Sequence, residues 1–246
     1  MTDMNEDLAN MRCKPIRNYN YAPYFEDIKY NGKILTDDER KDFVADINDS
    51  IADYSKGLPI IYDALENCKD KHDEYHDIDH TVVSILQFVL ITMIDSMIVS
   101  KYFILADGDY DQRFMRGKLK VIINEGYKRL YGFEDNTRKN SMWNSLKPIL
   151  NYFPQEIELQ YQELNMLLDK HIKSSSWWKD DRNYEIHFDT ENLYVSRQEE
   201  IIESKVMIDS LRFFNTFRAV NDFLWNMHTC IYNSLVLSYQ KGEISE

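Results

Sequence analysis

Turn-forming residues are scarce in this sequence, with 7 glycines and 5 prolines among 246 residues, and a chain with so few breaks has to run in long elements. Cysteines are scarcer still. Cys13, Cys68 and Cys230 lie far apart with no CxxC pair and no zinc-ligand spacing, which argues against a disulfide framework and suits a reducing compartment. Positive charge is in deficit: 29 Lys and Arg against 42 Asp and Glu leave a net charge of -13. That field disfavours indiscriminate attraction to nucleic acid or anionic membrane, yet a few local cations still govern their own surroundings, because screening acts over roughly 8 Å at physiological salt. Glycine-rich phosphate loops, GxSxG elbows, HExxH, alternating strand patterns and internal repeats are all missing. The opening stretch MTDMNEDLANMRCK is acidic and lacks an apolar core, so the expectation is a cytoplasmic protein without a signal peptide.

One long apolar run is present, from Val82 to Ala106. Gln87, Asp95 and Lys101 interrupt it, and an Asp near mid-bilayer costs about 2.5–3.5 kcal/mol. The run therefore predicts a helix buried on most sides within a soluble bundle, with no membrane partner.

The rest of the chain reads as helices joined by short breaks. Residues 1–35, rich in Asn and Tyr and punctuated by Pro15, Pro23 and Gly32, predict an irregular surface arm whose aromatics pack on the body. Thr36-Asp37-Asp38-Glu39 is a capping box and predicts a helix to about Tyr54. A second helix is expected from Gly57 to about Asn67, and Asp79 or Thr81 is expected to cap the apolar helix, which ends near Gly108. Residues 109–131 carry Phe114, Leu119, Ile122, Ile123 and Leu130 at helical period, with Gly132 as the stop. A long segment opens at Asn140 or Ser141 and runs to about Lys173, divided or kinked at Pro154. Ser196-Arg197-Gln198-Glu199 is a second capping box, and Glu200 to Gln240 reads as one helix with Leu211, Phe214, Phe217, Val220, Leu224, Met227, Ile231 and Leu235 on one side. The fold class predicted is all-α, an up-and-down helical bundle, with an N-terminal helical extension over residues 1–77 and the bundle proper over 78–246.

The chemically suggestive stretch is Arg182-Asn183-Tyr184-Glu185-Ile186-His187. It follows a Ser174-Ser175-Ser176 loop and the pair Trp177-Trp178, and it lies between long amphipathic segments in a chain with only 6 His. An Arg followed by Asn, then by a His after four intervening residues, late in an all-helical chain, resembles the HEPN superfamily (higher eukaryote and prokaryote nucleotide-binding domains). The likeness covers this short motif and a matching helical layout from about residue 80 to 240. The helix Asp111 to Leu130, with Arg116 and Glu125, also looks like helices of that family.

The resemblance implies metal-independent RNA cleavage, with Arg182, Asn183 and His187 as catalytic residues and no cofactor. The residue types suit that chemistry. A guanidinium fork binds a scissile phosphate, and an imidazole with an ordinary pKa near 6.5 takes a proton from a ribose 2′-hydroxyl or returns one to the leaving oxygen. Asn183 would orient either partner. On a regular helix Asn183 and His187 share a face, whereas Arg182 and His187 diverge by about 140°. A single protomer then presents an incomplete site, and the homodimer that HEPN proteins form is the expected assembly, pooling groups across a two-fold axis. The bland alternative pairs Arg182 with Glu185 or Asp181 on a helix surface.

Two further patterns carry weaker chemistry. His72, His76 and His80 fall at i, i+4 and i+8 among four carboxylates and would line one face of a helix as divalent-metal ligands. The commoner reading is a solvated, charge-dense linker with no metal. The aromatic load, 17 Tyr, 12 Phe and 4 Trp, includes Trp177-Trp178, placed to stack on bases beside Arg182, although core or dimer packing is the default role of such side chains. The sequence thus leads to an endoribonuclease of toxin–antitoxin or phage-defence type, acting as a homodimer, with RNA as substrate and an antitoxin protein as partner. The alternative is a non-catalytic helical dimerisation module.

Overall fold

The computed structural model describes residues 20–26, 28, 35–69, 74–133, 135–174 and 203–240. These form helices α1 (Asp37–Ser55), α2 (Gly57–Lys69), α3 (Glu74–Leu105), α4 (Asp109–Leu130), α5 (Asp135–Lys139), α6 (Gln155–Ser174) and α7 (Glu203–Gln240), with 3-10 turns at Ala22–Phe25 and Asn144–Tyr152. There is no strand among the described residues. The protein is an all-α helical bundle.

Local codes set the helix ends. Thr36 accepts a hydrogen bond from the Glu39 amide at 3.3 Å while the Glu39 carboxylate accepts from the Thr36 amide at 2.7 Å, so the expected capping box starts α1. Pro154 separates the Asn144–Tyr152 turn from α6. Gly132 ends α4: its amide returns to the Tyr127 carbonyl at 3.1 Å with φ +79, and a Cβ there would meet the Arg138 amide nitrogen at 2.6 Å. Only glycine fits such a turn.

α3 is the axis of the bundle. Asp79, Phe88 and Ser100 on α3 meet His228, Phe217 and Ser210 on α7, a pairing that makes the two helices antiparallel over most of their length. α1 and α2, broken only at Lys56, track the opposite direction of α3: Lys101 donates to Asn48, Gly57 lies against Leu90, and Cys68 approaches Asp79. The Arg129 guanidinium of α4 sits 5.5 Å from the Phe88 ring, so α4 folds back on α3 after the short 106–108 connection. α6 then runs antiparallel to α7, with Gln160 near Asn226. Successive long helices alternate in direction, as in an up-and-down bundle.

One core joins these elements, from Tyr21 and Ile61 through Val82, Leu86, Val89 and Met93 to Phe217, Leu224 and Ile231. α3 runs unbroken through residues 77 and 78. By length and composition Tyr75–Leu105 would suffice to cross a membrane; here it is wrapped by α1, α2, α4 and α7, as a core helix is.

One expectation is corrected. Residues 74–80 are not a linker capped by Asp79, because α3 begins at Glu74 and the Asp79 carboxylate, mostly buried, faces His228 instead. The expectation that aromatics of the arm pack on the body holds at Tyr21. Tyr21 is fully buried and donates its hydroxyl to Gln160, since a ring of that size stabilises more inside the α6–α7 packing than in water.

Candidate functional site

Arg182, Asn183 and His187 lie outside the described residues, as do Trp177, Trp178 and the Ser196–Glu199 box. The helices on either side of them are described: α6 closes at Ser174 and α7 opens at Glu203. Of the histidine run, His72 also lies outside. His76 and His80 both fall on α3, the first buried and the second exposed, so burial separates the two imidazoles. No group of three His, Cys, Asp or Glu side chains arranged to hold a metal occurs among the described residues.

A polar seam runs between α4 and α7 beside the end of α6. The two helices are parallel, joined at one end by Gln112 donating to Glu203 at 3.0 Å and at the other by Tyr127 donating to Thr216 at 3.3 Å. They approach closely at Gly126, where an added Cβ would lie 2.9 Å from the Phe213 ring. Arg116, Lys120, Asn124 and Tyr127 form one line on α4 and Lys205, Asp209, Arg212 and Thr216 one line on α7, by the i, i+4 and i+3 spacing of a helix face.

At the head of the seam three helices share a hydrogen-bond chain. Thr216 donates to the Arg212 carbonyl at 2.8 Å and accepts from Tyr127. The Tyr127 proton being so used, His171 of α6, 2.9 Å away, donates through Nε2. Burial pushes the Tyr127 hydroxyl far above the usual tyrosine range, so it stays neutral.

Below this head the same face of α7 changes character. Further along, Phe223 on that line packs against Trp143 and Tyr161; at Lys205, Asp209 and Arg212, α6 has already ended. Asp209 is 8 % exposed, and burial raises its carboxyl to about 7 even though Lys205, Arg212 and Lys120 all pull it down. Desolvation outweighs three cations there. Asn124 and Arg116 are buried in the α4 line, Lys120 and Arg212 are half-buried, and Lys205 is exposed. A carboxyl that exchanges its proton near neutral pH, inside a cluster of cations, is the kind of arrangement that binds anions or moves protons.

No family model, curated protein or solved structure matches this chain. The site therefore rests on its own residues.

Sequence reasoning missed the seam. The signal was available in α7, where Lys205, Asp209 and Arg212 occupy the line that continues to the buried Thr216 and Phe223; charges in the row of a core face mark a place where the helix packs against something polar.

The remaining clusters have structural roles. Glu203 accepts from the Leu35 amide, from Arg40 and from Gln112, tying the entry to α1 and the start of α4 to the first turn of α7. A cavity of about 100 Å³ between α1, α3 and α7 is lined mostly by apolar side chains, Phe43, Ile47, Met97, Met207 and Phe214 among them, with Asp46, Ser50 and the Ser100–Ser210 pair as its polar members.

Proposed function

We propose that the protein is a metal-independent endoribonuclease, of the toxin–antitoxin or phage-defence kind, that acts as a homodimer through Arg182, Asn183 and His187. The observation that carries this reading is positional. The motif occupies the connection between α6 and α7 of an all-α bundle, and the described end of that connection at α7 adjoins a cluster of three cations, Lys120, Lys205 and Arg212, in a protein of net charge -13. In the reaction, the imidazole takes the 2′-hydroxyl proton as that oxygen attacks phosphorus, and the bond to the 5′-oxygen breaks as that oxygen receives a proton from the imidazolium, leaving a 2′,3′-cyclic phosphate and a 5′-hydroxyl. The guanidinium neutralises charge developing on the phosphoryl oxygens. The test is incubation with mixed RNA in EDTA: cyclic-phosphate products from wild type and none from a folded His187→Ala variant are expected, and a silent wild type would sink the proposal.

A non-catalytic helical dimerisation module is the second reading, favoured by one feature of α3. Ile91, Ile98, Tyr102 and Leu105 are exposed along one face, at successive spacings that suit a helix–helix seam. A dimer that persists without RNA cleavage, and that Ile98→Arg dissociates in sedimentation, would support it.

A further inference from the structure

The solvent side of α3 changes character along its length. Its first half presents Asp77 and His80; its second half presents Ile91, Ile98, Tyr102 and Leu105, with Asp95 as the one charge in that row. An apolar row facing water marks a contact surface, and the order of residues here fits a second copy of the same row. Ile91 and Leu105 stand seven residues to either side of Ile98, about 10 Å each way by helix rise. Asp95 comes three residues before Ile98, and Lys101 with Tyr102 three and four residues after it. Opposite charges at equal distances from one apolar centre complement themselves when a second copy is turned end for end. Neither charge is offset within the chain. Asp95 makes no hydrogen bond or ion pair among the described residues, although desolvation already pushes its carboxyl above the usual range. Lys101 donates to the neutral Asn48 at 2.8 Å and lies 5.9 Å from the Tyr102 ring.

We infer that two copies of this chain pair through α3, antiparallel about a two-fold axis at Ile98, with the Asp95 turn of each helix against the Lys101–Tyr102 turn of the other. The inference deepens the dimerisation reading and rests on the homodimer it invokes, adding the direction of the helix pair and the charges that set it. Ile98 packs at the axis, and Ile91 covers Leu105 of the second copy. The Asp95 carboxylate gains a cation and a phenol donor. A parallel pairing would instead set Asp95 on Asp95, like charges on a face that is losing water. Two chains of net charge -13 repel each other at long range, so a stable contact needs a surface poor in acids. The second half of α3 meets that need, with Asp95 its single carboxylate.

Sedimentation velocity of the full chain over a concentration series tests this, read beside thermal unfolding. Wild type is expected to dimerise. Asp95→Arg and Lys101→Glu should each weaken the dimer by about tenfold or more, because each puts like charges in contact. The double variant Asp95→Arg with Lys101→Glu should recover the dimer, since the pair is exchanged rather than lost. In a parallel pairing the single reversals would gain nothing and lose nothing, so rescue by the double variant is specific to the antiparallel one. Oxidation of an equal mixture of Ile91→Cys and Leu105→Cys chains should give a cross-linked dimer that neither variant gives alone. A dimer indifferent to both reversals, in variants as thermally stable as wild type, would overturn the α3 pairing and leave the homodimer to another surface. Reversals that weaken the dimer without rescue in the double variant would overturn the antiparallel register. A monomeric wild type would overturn both the pairing and the homodimer, whereas RNA cleavage in EDTA is scored separately and decides the nuclease by itself.

Discussion

The Asp79 carboxylate lies 2.7 Å from Nδ1 of His228, a pairing between residues separated by 149 positions that bolts the start of α3 to the later turns of α7. Both side chains are largely buried, at 10 % and 13 % exposure. The second Asp79 oxygen has the Cys68 thiol at 3.9 Å, and the Trp225 ring meets the His228 ring edge-on. Both carboxylate oxygens thereby have a partner inside the packing.

Removing one member of that pair strands the other. Asp79→Ala is expected to lower stability by about 1–3 kcal/mol, the desolvation cost of a buried donor left unmade, and the double variant with His228→Leu should recover part of it. Urea unfolding of the single and double variants measures the coupling. Strict additivity would mean that the pairing contributes nothing.

Gly126 sets the distance between α4 and α7. Alanine gains about 1 kcal/mol of helix propensity over glycine, but its methyl would sit 2.9 Å from the Phe213 ring and 3.1 Å from that of Phe217. Both rings are fully buried, and overpacking typically costs about 1–3 kcal/mol. Gly126→Ala is expected to be net destabilising; a raised melting temperature would contradict the close approach.

Asp209 links stability to pH. Its carboxyl is raised from 3.8 to about 7 in the folded protein, so the folded state binds a proton that the unfolded state has released over the interval between those values. The stability contributed by that protonated form is fully present below about pH 4 and is lost as pH rises through about 7. The loss is of order a few kcal/mol. Asp209→Asn should therefore be more stable than wild type at pH 8, by more than any difference at pH 5, in paired urea titrations. A difference independent of pH would refute the shift.

α1 depends on its cap more than its neighbours do, because none of its residues is fully buried. Thr36→Ala removes the hydroxyl that accepts from Glu39 and should cost about 1 kcal/mol. Hydrogen exchange should report faster opening of residues 37–42 with little change in α3.

Much of this architecture is legible in the sequence because its signals are local. Thr36 and Glu39 are three residues apart, Pro154 interrupts a helix by its own covalent ring, and Gly132 stops one by its backbone freedom. The apolar run from Val82 predicts the central helix for the same reason. Asp79 misleads because an acidic residue before an apolar run resembles a cap, whereas its partner, His228, is remote in sequence. Tyr21 reads as an arm aromatic that packs on the body, but nothing near it announces Gln160 as its partner. The Arg182 to His187 motif is visible in sequence, but it falls outside the described residues. Asp209 escapes notice because the apolar stripe of α7 draws the eye past charges one turn apart, and its proton affinity comes from burial that only the fold creates.

The antiparallel pairing of α3 with α7 has a consequence for biosynthesis. A ribosome delivers α3 well before α7, while α1, α2 and α4 are at hand to shield it early. The side of α3 that carries Phe88 and Ser100 toward α7 must wait for nearly a hundred more residues to emerge. During that interval the nascent chain exposes a greasy ridge, which makes it a natural client for chaperones and a place where a premature stop codon upstream of α7 yields aggregation.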